Sequence, residues 1–232
     1  MNKNIQKSIR LDVLGLFLAG LNNTFIALAV AVFVHGPGTT SSQPELLQRA
    51  LWIAEHSVLW KTGWLYWFIP TLTFSWSYYA LGRHLDGSRP WRNLAIGVAL
   101  VAAAVDIVGV LVNFTVLPEL AQGLIYSGTN PDLSLQTTFL AVEKLANTLT
   151  NVGGFGLYSI AGLLILPAVF STVDFPKWLA WLGVIEWSLS IFATGLLMVN
   201  PSLAAVPLVI SFLLYAPWVW GSAMWLIRRD HS

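Results

Sequence analysis

The chain has 232 residues, of which 56% are hydrophobic and only 10% charged, and its mean hydropathy is +0.68. Because ordinary soluble domains carry about 25% charged residues, this composition excludes a soluble globular protein. The formal net charge is +1, and no basic run is interleaved with aromatic residues, which argues against nucleic acid as a partner. The expected partner is the lipid bilayer, and residues 1–232 are expected to form a single all-α transmembrane domain.

Six apolar stretches predict a bundle of six transmembrane helices, because each approaches or exceeds the roughly 20 residues that cross a bilayer. After the first stretch, residues 44–57 predict a short amphipathic helix on the outer surface, with Leu47 on its apolar side and Arg49 on its polar side. Residues 118–137 predict an outer loop, since they contain several helix breakers. The six stretches cover residues 11–34, 58–82, 94–117, 138–171, 178–199 and 203–227.

The basic residues predict the orientation of the bundle. Nine of the twelve lysines and arginines lie in the amino-terminal segment, in the second and fourth connections, or at the carboxyl terminus. The outer connections contain Arg49, while Lys61 and Lys144 lie within apolar stretches. The positive-inside rule therefore predicts that both termini are cytoplasmic in a multi-pass protein of the plasma membrane. The nine residues are Lys3, Lys7, Arg10, Arg83, Arg89, Arg92, Lys177, Arg228 and Arg229.

The sequence predicts no metal site and no cofactor. Cysteine is absent, which removes thiolate nucleophiles, iron–sulfur clusters and cysteine-ligated zinc together. The histidines fall in predicted loops or in the carboxyl-terminal tail, so no bis-histidyl haem is expected between the helices. They are His35, His56, His84 and His231.

Five charged residues interrupt the apolar stretches. A charge in the bilayer centre costs roughly 3 kcal/mol on insertion scales, so such a residue normally faces a partner or a water-filled cavity. Three carboxylates against two lysines leave one acid that is expected to be neutral or to bind a cation, and burial favours the neutral form. The five are Lys61, Asp106, Glu143, Lys144 and Glu186.

Among these residues, Asp106 and Glu186 are the candidate buried acids, and they are also the candidate catalytic residues. Lys61 is expected to meet Glu143 first and Asp106 second, because an unpaired ammonium group this far inside a stretch would be costly. Lys144 is expected to extend its side chain along the helix, so that its charge lies nearer the outer membrane surface.

Polar residues at helical spacing predict an internal funnel that opens to the outer face. Glu143, Asn147 and Asn151 recur every four residues on the fourth stretch and therefore share one side of a helix. Equivalent stripes occur on the third and fifth stretches. An interhelical hydrogen-bond network is the alternative. The candidate ligand-binding residues are Lys61, Trp64, Asn113, Glu143, Asn147 and Asn151.

Glycines in the middle of the fourth stretch have two interpretations. Gly153, Gly154 and Gly156 either allow the helix to bend beside a cavity or let a neighbouring helix approach closely.

The segment Phe175-Pro176-Lys177-Trp178-Leu179-Ala180-Trp181-Leu182-Gly183 opens the fifth stretch with a Pro-basic-Trp-Leu turn followed by a glycine. Over about residues 145–200, the chain resembles a bacterial family of uncharacterised six-helix integral membrane proteins that is known as a domain of unknown function. The resemblance implies a six-helix fold in a bacterial inner membrane, and it implies no catalytic residues.

Three functions remain open at the level of sequence. The first is binding or transport of a small amphiphilic or hydrophobic molecule in the funnel, by a protein that forms homo-oligomers. The second is an intramembrane enzyme that uses Asp106 or Glu186 as a general acid or base on a lipid or isoprenoid. The third is an accessory subunit of a larger membrane complex, in which the polar stripes serve assembly.

Overall fold

The computed structural model describes residues 3–39, 43, 45–127 and 132–230, with the backbone alone for residues 3–8, 37 and 230. Within these ranges the regular structure is helical and contains no strand. The helices are α1 (Lys3–Gly20), α2 (Ala27–Val30), α3 (Leu46–Glu55), α4 (Ser57–His84), α5 (Arg89–Leu111), α6 (Leu117–Tyr126), α7 (Leu133–Asn147), α8 (Phe155–Ser171), α9 (Lys177–Val199) and α10 (Pro201–Asp230).

Short π-helical segments join several of these helices end to end. A π-helical turn contains an extra residue, so it widens the helix and displaces the side chains around it. They join α1 to α2, α5 to α6, and α7 to α8, so that each pair forms one long continuous helical rod. A 3-10 turn follows the first rod at Gly36–Gly38. The π-helical segments are Leu21–Ile26, Ala31–His35, Val112–Val116 and Thr148–Gly154.

In the described part of the chain, five helices are long and apolar enough to cross a membrane, so the protein is a multi-pass membrane protein. They coincide with five of the six predicted stretches. The predicted stretch 58–82 lies within α4, which has 28 residues but is less apolar because it contains many hydroxyl-bearing side chains. The five helices are Ile9–His35, Arg89–Tyr126, Leu133–Ser171, Lys177–Val199 and Pro201–Arg229.

Helix α5 lies in the middle of the bundle, between α4 on one side and α8 on the other. The packing continues from α8 through α9 to α10, and α1 closes the arrangement by packing against both α10 and α4. The main core is aromatic where α4, α8, α9 and α10 meet, with fully or almost fully buried rings. These rings belong to Phe74, Tyr78, Tyr158, Trp187, Tyr215 and Trp218.

A second core lies beneath α3 and α6, which pack against each other. The predicted outer helix over residues 44–57 corresponds to α3, although residue 44 lies outside the described residues. The prediction that Arg49 is on the polar surface is wrong: Arg49 faces inward with Ala50 and Ile53, while Leu47 is 44% exposed. The α3 helix is therefore turned so that its buried charge faces the protein.

The predicted outer loop over residues 118–137 is wrong for most of its length, because residues 118–126 lie in α6 and residues 133–137 in α7. Pro118 falls in the first turn of α6, where a missing N–H is tolerated. The next helix, α7, begins after Asp132, whose side chain accepts a 3.1 Å hydrogen bond from the Ser134 amide. Gly128 and Pro131, which also favoured a loop, lie outside the described residues.

Arg229 fastens one end of the bundle, which we call the Arg229 end. Its guanidinium group contacts Asp86 and donates to the carbonyl of His84, and its Nε lies 3.4 Å from Asp174 Oδ2. Nearby, Asp12 on α1 forms a second link, because its Oδ2 lies 2.8 Å from His84 Nε2. The carboxyl-terminal part of α10 is thus joined to two connecting loops and indirectly to α1.

Replacing Gly162 with alanine should destabilise the protein, because the added Cβ would overlap the fully buried indole of Trp187. We expect a loss of about 1–3 kcal/mol in the free energy of unfolding, as for other overpacked cores. The control is Gly195→Ala, where nothing lies within 4 Å of the added methyl group. That change should be neutral or stabilising by about 0.5–1 kcal/mol. Unfolding in mixed micelles with increasing SDS measures both variants, and equal effects would contradict the packing described here.

Candidate functional site

A cavity of about 140 Å³ lies inside the bundle beside Asp106, and we call it the Asp106 cavity. Most of its wall is apolar, and polar groups come from four elements of the bundle. The aromatic lining residues are Trp67, Phe74, Phe155, Tyr158 and Phe212, and the polar ones are Asn23, Thr71, Asp106, Thr150 and Asn151. The aliphatic lining residues are Ala27, Leu28, Ala31, Pro70, Leu197 and Leu208.

The π-helical segments bring polar side chains to this cavity. Asn23 belongs to Leu21–Ile26, while Thr150 and Asn151 belong to Thr148–Gly154. Asn23 is 4% exposed, and its amide donates to Ala19 O at 3.0 Å and to Thr73 Oγ1 at 3.3 Å. The widened turns therefore place hydrogen-bonding groups in the interior at positions that a regular α-helix would displace.

Asp106 is the acidic residue of the cavity, and it is only 6% exposed. Its Oδ2 lies 2.6 Å from Thr71 Oγ1, whereas its Oδ1 is buried and has no hydrogen-bond partner in the structure. Gly154 makes room for it, since an added Cβ there would lie 2.8 Å from the Asp106 Cβ. The glycine thus lets α5 and the fourth span approach closely, which supports the second interpretation of this glycine-rich stretch.

Tyr158 also forms part of the cavity wall. Its hydroxyl donates to Thr71 O at 3.0 Å and lies 3.2 Å from Ser75 Oγ. Its own carbonyl accepts a 2.6 Å hydrogen bond from Tyr78. Because these contacts tie α4 to α8, the wall around Asp106 is held by hydrogen bonds that leave Asp106 Oδ1 free.

A larger and more polar pocket of about 610 Å³ adjoins the Asp106 cavity, and we call it the Arg49 pocket. Asn151 and Leu197 line both spaces, so the two meet at these side chains. The pocket contains the predicted stripe of the fourth span. Its other polar lining residues are Thr39, Arg49, Glu143, Lys144, Asn147 and Thr148.

Arg49 and Glu143 form a buried, bidentate ion pair in this pocket. Arg49 Nε and Nη2 each donate to a different oxygen of Glu143, both at 2.9 Å. Arg49 is 2% exposed, and its Nη1 also donates to Gln43 O at 3.0 Å. This parallel geometry is the strong form of an arginine–carboxylate contact.

The prediction that Lys61 meets Glu143 or Asp106 is wrong. Lys61 is half-buried, and no carboxylate among the described residues lies within salt-bridge distance of it. Glu143 instead takes its counter-charge from Arg49, because α3 folds back over the end of the bundle and turns that side chain inward. Lys61 lines neither the Asp106 cavity nor the Arg49 pocket.

Glu186 lies apart from both spaces, within the aromatic core. It is 2% exposed, its Oε1 accepts a 3.2 Å hydrogen bond from Ser190, and its Oε2 has no partner in the structure. The adjacent Trp187 is fully buried, and Tyr78 and Tyr215 are further aromatic neighbours of Glu186 in that core. The two candidate acids are thus not brought together: Asp106 lines the Asp106 cavity, whereas Glu186 lines neither of the two spaces described here.

Asn113 and Trp64 also lie outside the two spaces. The Asn113 side chain donates to Gly109 O at 3.0 Å, and its carbonyl accepts a 2.9 Å hydrogen bond from Trp60. Trp64 stacks on His35 with the ring centroids 4.2 Å apart. His35 is therefore buried at the end of the first span, and its prediction as a loop residue is wrong.

Sequence reasoning missed Arg49, Thr71 and Tyr158 as site residues. Each is an ordinary residue for its segment: an arginine of an amphipathic helix, a threonine after a proline, and a tyrosine in an apolar run. A signal did exist for Thr71, because it lies near the middle of the second stretch among other hydroxyl residues at alternate positions, Thr73, Ser75 and Ser77.

No protein-family model matches the chain, and no curated protein or solved structure matches it. The chemistry of the site therefore follows from its geometry. A carboxyl group in an aromatic-walled cavity can accept a hydrogen bond, hold a cation or release a proton.

Replacing Glu143 with glutamine should destabilise the protein by about 3 kcal/mol, because it leaves the buried Arg49 charge without its carboxylate. The double variant Arg49→Met with Glu143→Leu should recover most of that loss, since well-packed apolar residues substitute for a buried ion pair. The exposed Glu119→Gln serves as the charge-matched control and should be neutral. SDS-induced unfolding measures all three. A Glu143→Gln variant as stable as Glu119→Gln would mean that the pair contributes nothing.

Proposed function

We propose that this protein is a bacterial inner-membrane protein that binds or transports a small amphiphilic or hydrophobic molecule in the Asp106 cavity. The observation that carries the proposal is a buried carboxyl oxygen without a partner in the wall of a mostly apolar cavity. In a membrane interior, ionisable groups face a partner or a cavity and mark the path of a ligand or ion. The resemblance over residues 145–200 agrees with a bacterial inner membrane.

In the proposed topology, α4 is a sixth transmembrane helix. Its lower hydropathy comes from Thr71, Thr73, Ser75 and Ser77, all of which are buried. Most of its exposed side chains are apolar, as expected for contact with lipid. These include Val58, Leu59, Leu65, Ile69 and Leu72, with exposures between 43% and 79%.

Six spans place both termini on one side of the membrane, and the distribution of basic residues supports the cytoplasmic side. In this orientation the Arg229 end is cytoplasmic and the Arg49 pocket opens outward. The route to Asp106 then runs from the outer face through the Arg49 pocket and past Asn151 and Leu197.

The cavity sets the size of the ligand. An engineered apolar cavity of about 150 Å³ holds a benzene molecule, so the Asp106 cavity accommodates a ring or a short chain of similar bulk. Five aromatic side chains line the space for the apolar part, and Asp106 receives a polar group. Leu28, Ala31, Leu208 and Phe212 are half-buried lining residues, so this side of the cavity lies nearest the lipid.

The geometry favours binding over the alternative of an intramembrane enzyme. A general acid on an isoprenoid needs a second group to receive a proton later in the reaction. Among the lining residues of the cavity, Asp106 and Tyr158 are ionisable, and the Tyr158 hydroxyl already donates to Thr71 O. The geometry also favours binding over the alternative of an accessory subunit, in which the polar stripes serve assembly. The polar stripe of the fourth span lines an internal pocket instead.

Single cysteines test the topology cleanly, because the chain contains no cysteine. Tyr126, the last residue of α6, and Val173, in the connection after α8, are 86% and 94% exposed at opposite ends of the bundle. We expect Tyr126→Cys to react with an impermeant maleimide added to intact cells, and Val173→Cys to react after the cells are opened. The reverse pattern would contradict the topology of six spans with cytoplasmic termini, and labelling of both from outside would show that Leu133–Ser171 does not cross the membrane.

Ligand binding is tested with benzyl alcohol, a small amphiphile with a benzene ring, on the protein in lipid nanodiscs. Ala31→Phe should abolish saturable binding because it fills the wall of the cavity, while Val32→Phe, at the neighbouring 60% exposed position, should retain it. Isothermal titration calorimetry, with empty nanodiscs subtracted, measures both. Binding that is equal in the two variants, or absent from the unmodified protein, would reject the proposed function.

A further inference from the structure

The hydroxyl of Thr71 contacts two acceptors at once. Thr71 Oγ1 lies 2.6 Å from Asp106 Oδ2 and 3.0 Å from the carbonyl oxygen of Trp67. A hydroxyl group has a single proton to donate. If Asp106 were ionised, one of these contacts would join two oxygen atoms with no proton between them. If Asp106 carries a proton on Oδ2, it donates to Thr71, Thr71 donates to Trp67, and both contacts are hydrogen bonds.

Among the described residues, no charged group that would hold Asp106 ionised lies near it on α5 or on α4. On its own helix α5, the basic residues Arg89 and Arg92 are at least 14 positions away, or about 21 Å along the axis. Thr71 faces it from α4, where the nearest basic residue, Lys61, is ten positions from Thr71, or about 15 Å along the helix.

The remaining neighbours are also uncharged. Tyr158 faces the cavity from α8, and Thr150 and Asn151 face it from the π-helical segment Thr148–Gly154, which contains no ionisable residue. On α7, Glu143 is already paired with Arg49, and Lys144 lines the Arg49 pocket. An isolated carboxylate in such a site carries a large desolvation cost, which the neutral acid avoids.

We propose that the ligand of this cavity carries a protonated amine, and that its binding displaces the proton of Asp106. This inference deepens the proposed function and rests on it. Before binding, Asp106 is a neutral acid that lines the cavity, and its buried Oδ1 is an acceptor without a donor. An ammonium group supplies that donor, and its positive charge makes the ionised form of Asp106 the favoured one.

The exchange balances in atoms and charge. The O–H bond of Asp106 breaks, its proton passes to water, and the electron pair stays on the carboxylate, which accepts N–H donors from the ammonium group. The Thr71 hydroxyl turns from Trp67 O to Asp106 Oδ2, which is within 2.6 Å. One positive charge enters as another leaves, so the buried site has no net charge in either state.

The walls of the cavity suit a cation of this kind. Trp67 and Tyr158 have aromatic faces that attract a cation, and Phe74, Phe155 and Phe212 surround the apolar body. The proton leaves on the side of Asn151, where the cavity adjoins the Arg49 pocket. A neutral alcohol of the same shape also supplies a donor to Oδ1, but it gives no reason for Asp106 to lose its proton.

The test compares benzylamine, which is protonated at neutral pH, with benzyl alcohol. Titration calorimetry in two buffers of different ionisation enthalpy, on the protein in nanodiscs, counts the protons released per molecule bound. We expect release of about one proton with benzylammonium and none with benzyl alcohol. In Asp106→Asn, benzylammonium should release no proton and bind at least about tenfold more weakly, because a charged hydrogen bond is lost. Benzyl alcohol should still bind to this variant, which also shows that it is folded.

A second variant separates the contribution of Thr71 to binding from that of Asp106. Thr71→Val removes the hydroxyl that donates to the ionised carboxylate, so it should weaken the binding of benzylammonium several-fold more than the binding of benzyl alcohol, while Thr71→Ser should restore both. The exposed Glu119→Gln is the control for loss of an acidic side chain and should behave as the unmodified protein.

The outcomes distinguish the two proposals. If benzylammonium binds without releasing a proton, or if both probes release protons equally, the exchange is wrong and the binding function stands. If neither probe binds, the proposed function fails and the exchange fails with it.

Discussion

A polar group inside a bilayer has no water to bind, so it must find its partner within the protein. This constraint accounts for the arrangement of the bundle. The buried hydroxyl groups of α4 contact backbone carbonyls or other side chains, and the exposed side of the same helix carries Leu65, Ile69 and Leu72. Among the described residues, six buried side-chain atoms lack a hydrogen-bond partner in the structure, and two of them are carboxyl oxygens, Asp106 Oδ1 and Glu186 Oε2. Of these two acids, Asp106 lines the cavity, which is why the proposed function centres on it.

The π-helical segments serve the same constraint in a different way. Each adds a residue to a turn without ending the helix, so a long rod keeps its backbone hydrogen bonds while some side chains change direction. Asn23 and Asn151 both lie in such segments and both reach the Asp106 cavity. Glycine at position 154 then lets the widened helix lie against Asp106. The local backbone geometry of the π-helical segments therefore determines where these polar groups lie.

The sequence was sufficient to predict what depends on periodicity and hydropathy. The all-helical class, five of the apolar helices, and the shared face of Glu143, Asn147 and Asn151 all follow from counts along one chain. Contacts between distant segments did not follow. Arg49 belongs to a helix whose pattern fits a membrane surface, and its inward orientation depends on how α3 packs against α6. The sequence therefore favours Lys61 as the partner of Glu143, because Lys61 lies within an apolar stretch and Arg49 is expected on the surface. The run of hydroxyl residues on α4 points to Thr71, but its role depends on two distances of 2.6 Å and 3.0 Å that no spacing rule contains.

The two ends of the bundle are fastened differently, which gives the molecule a mechanical asymmetry. At one end, Arg229 joins α10 to the connections around Asp86 and Asp174. At the other, α3 is held over the bundle by the Arg49–Glu143 pair and by its apolar contact with α6. The ion pairs of Arg229 are partly exposed to solvent, whereas the Arg49–Glu143 pair is buried and bidentate. Salt therefore screens the electrostatic fastening of the Arg229 end more than that of the Arg49 end.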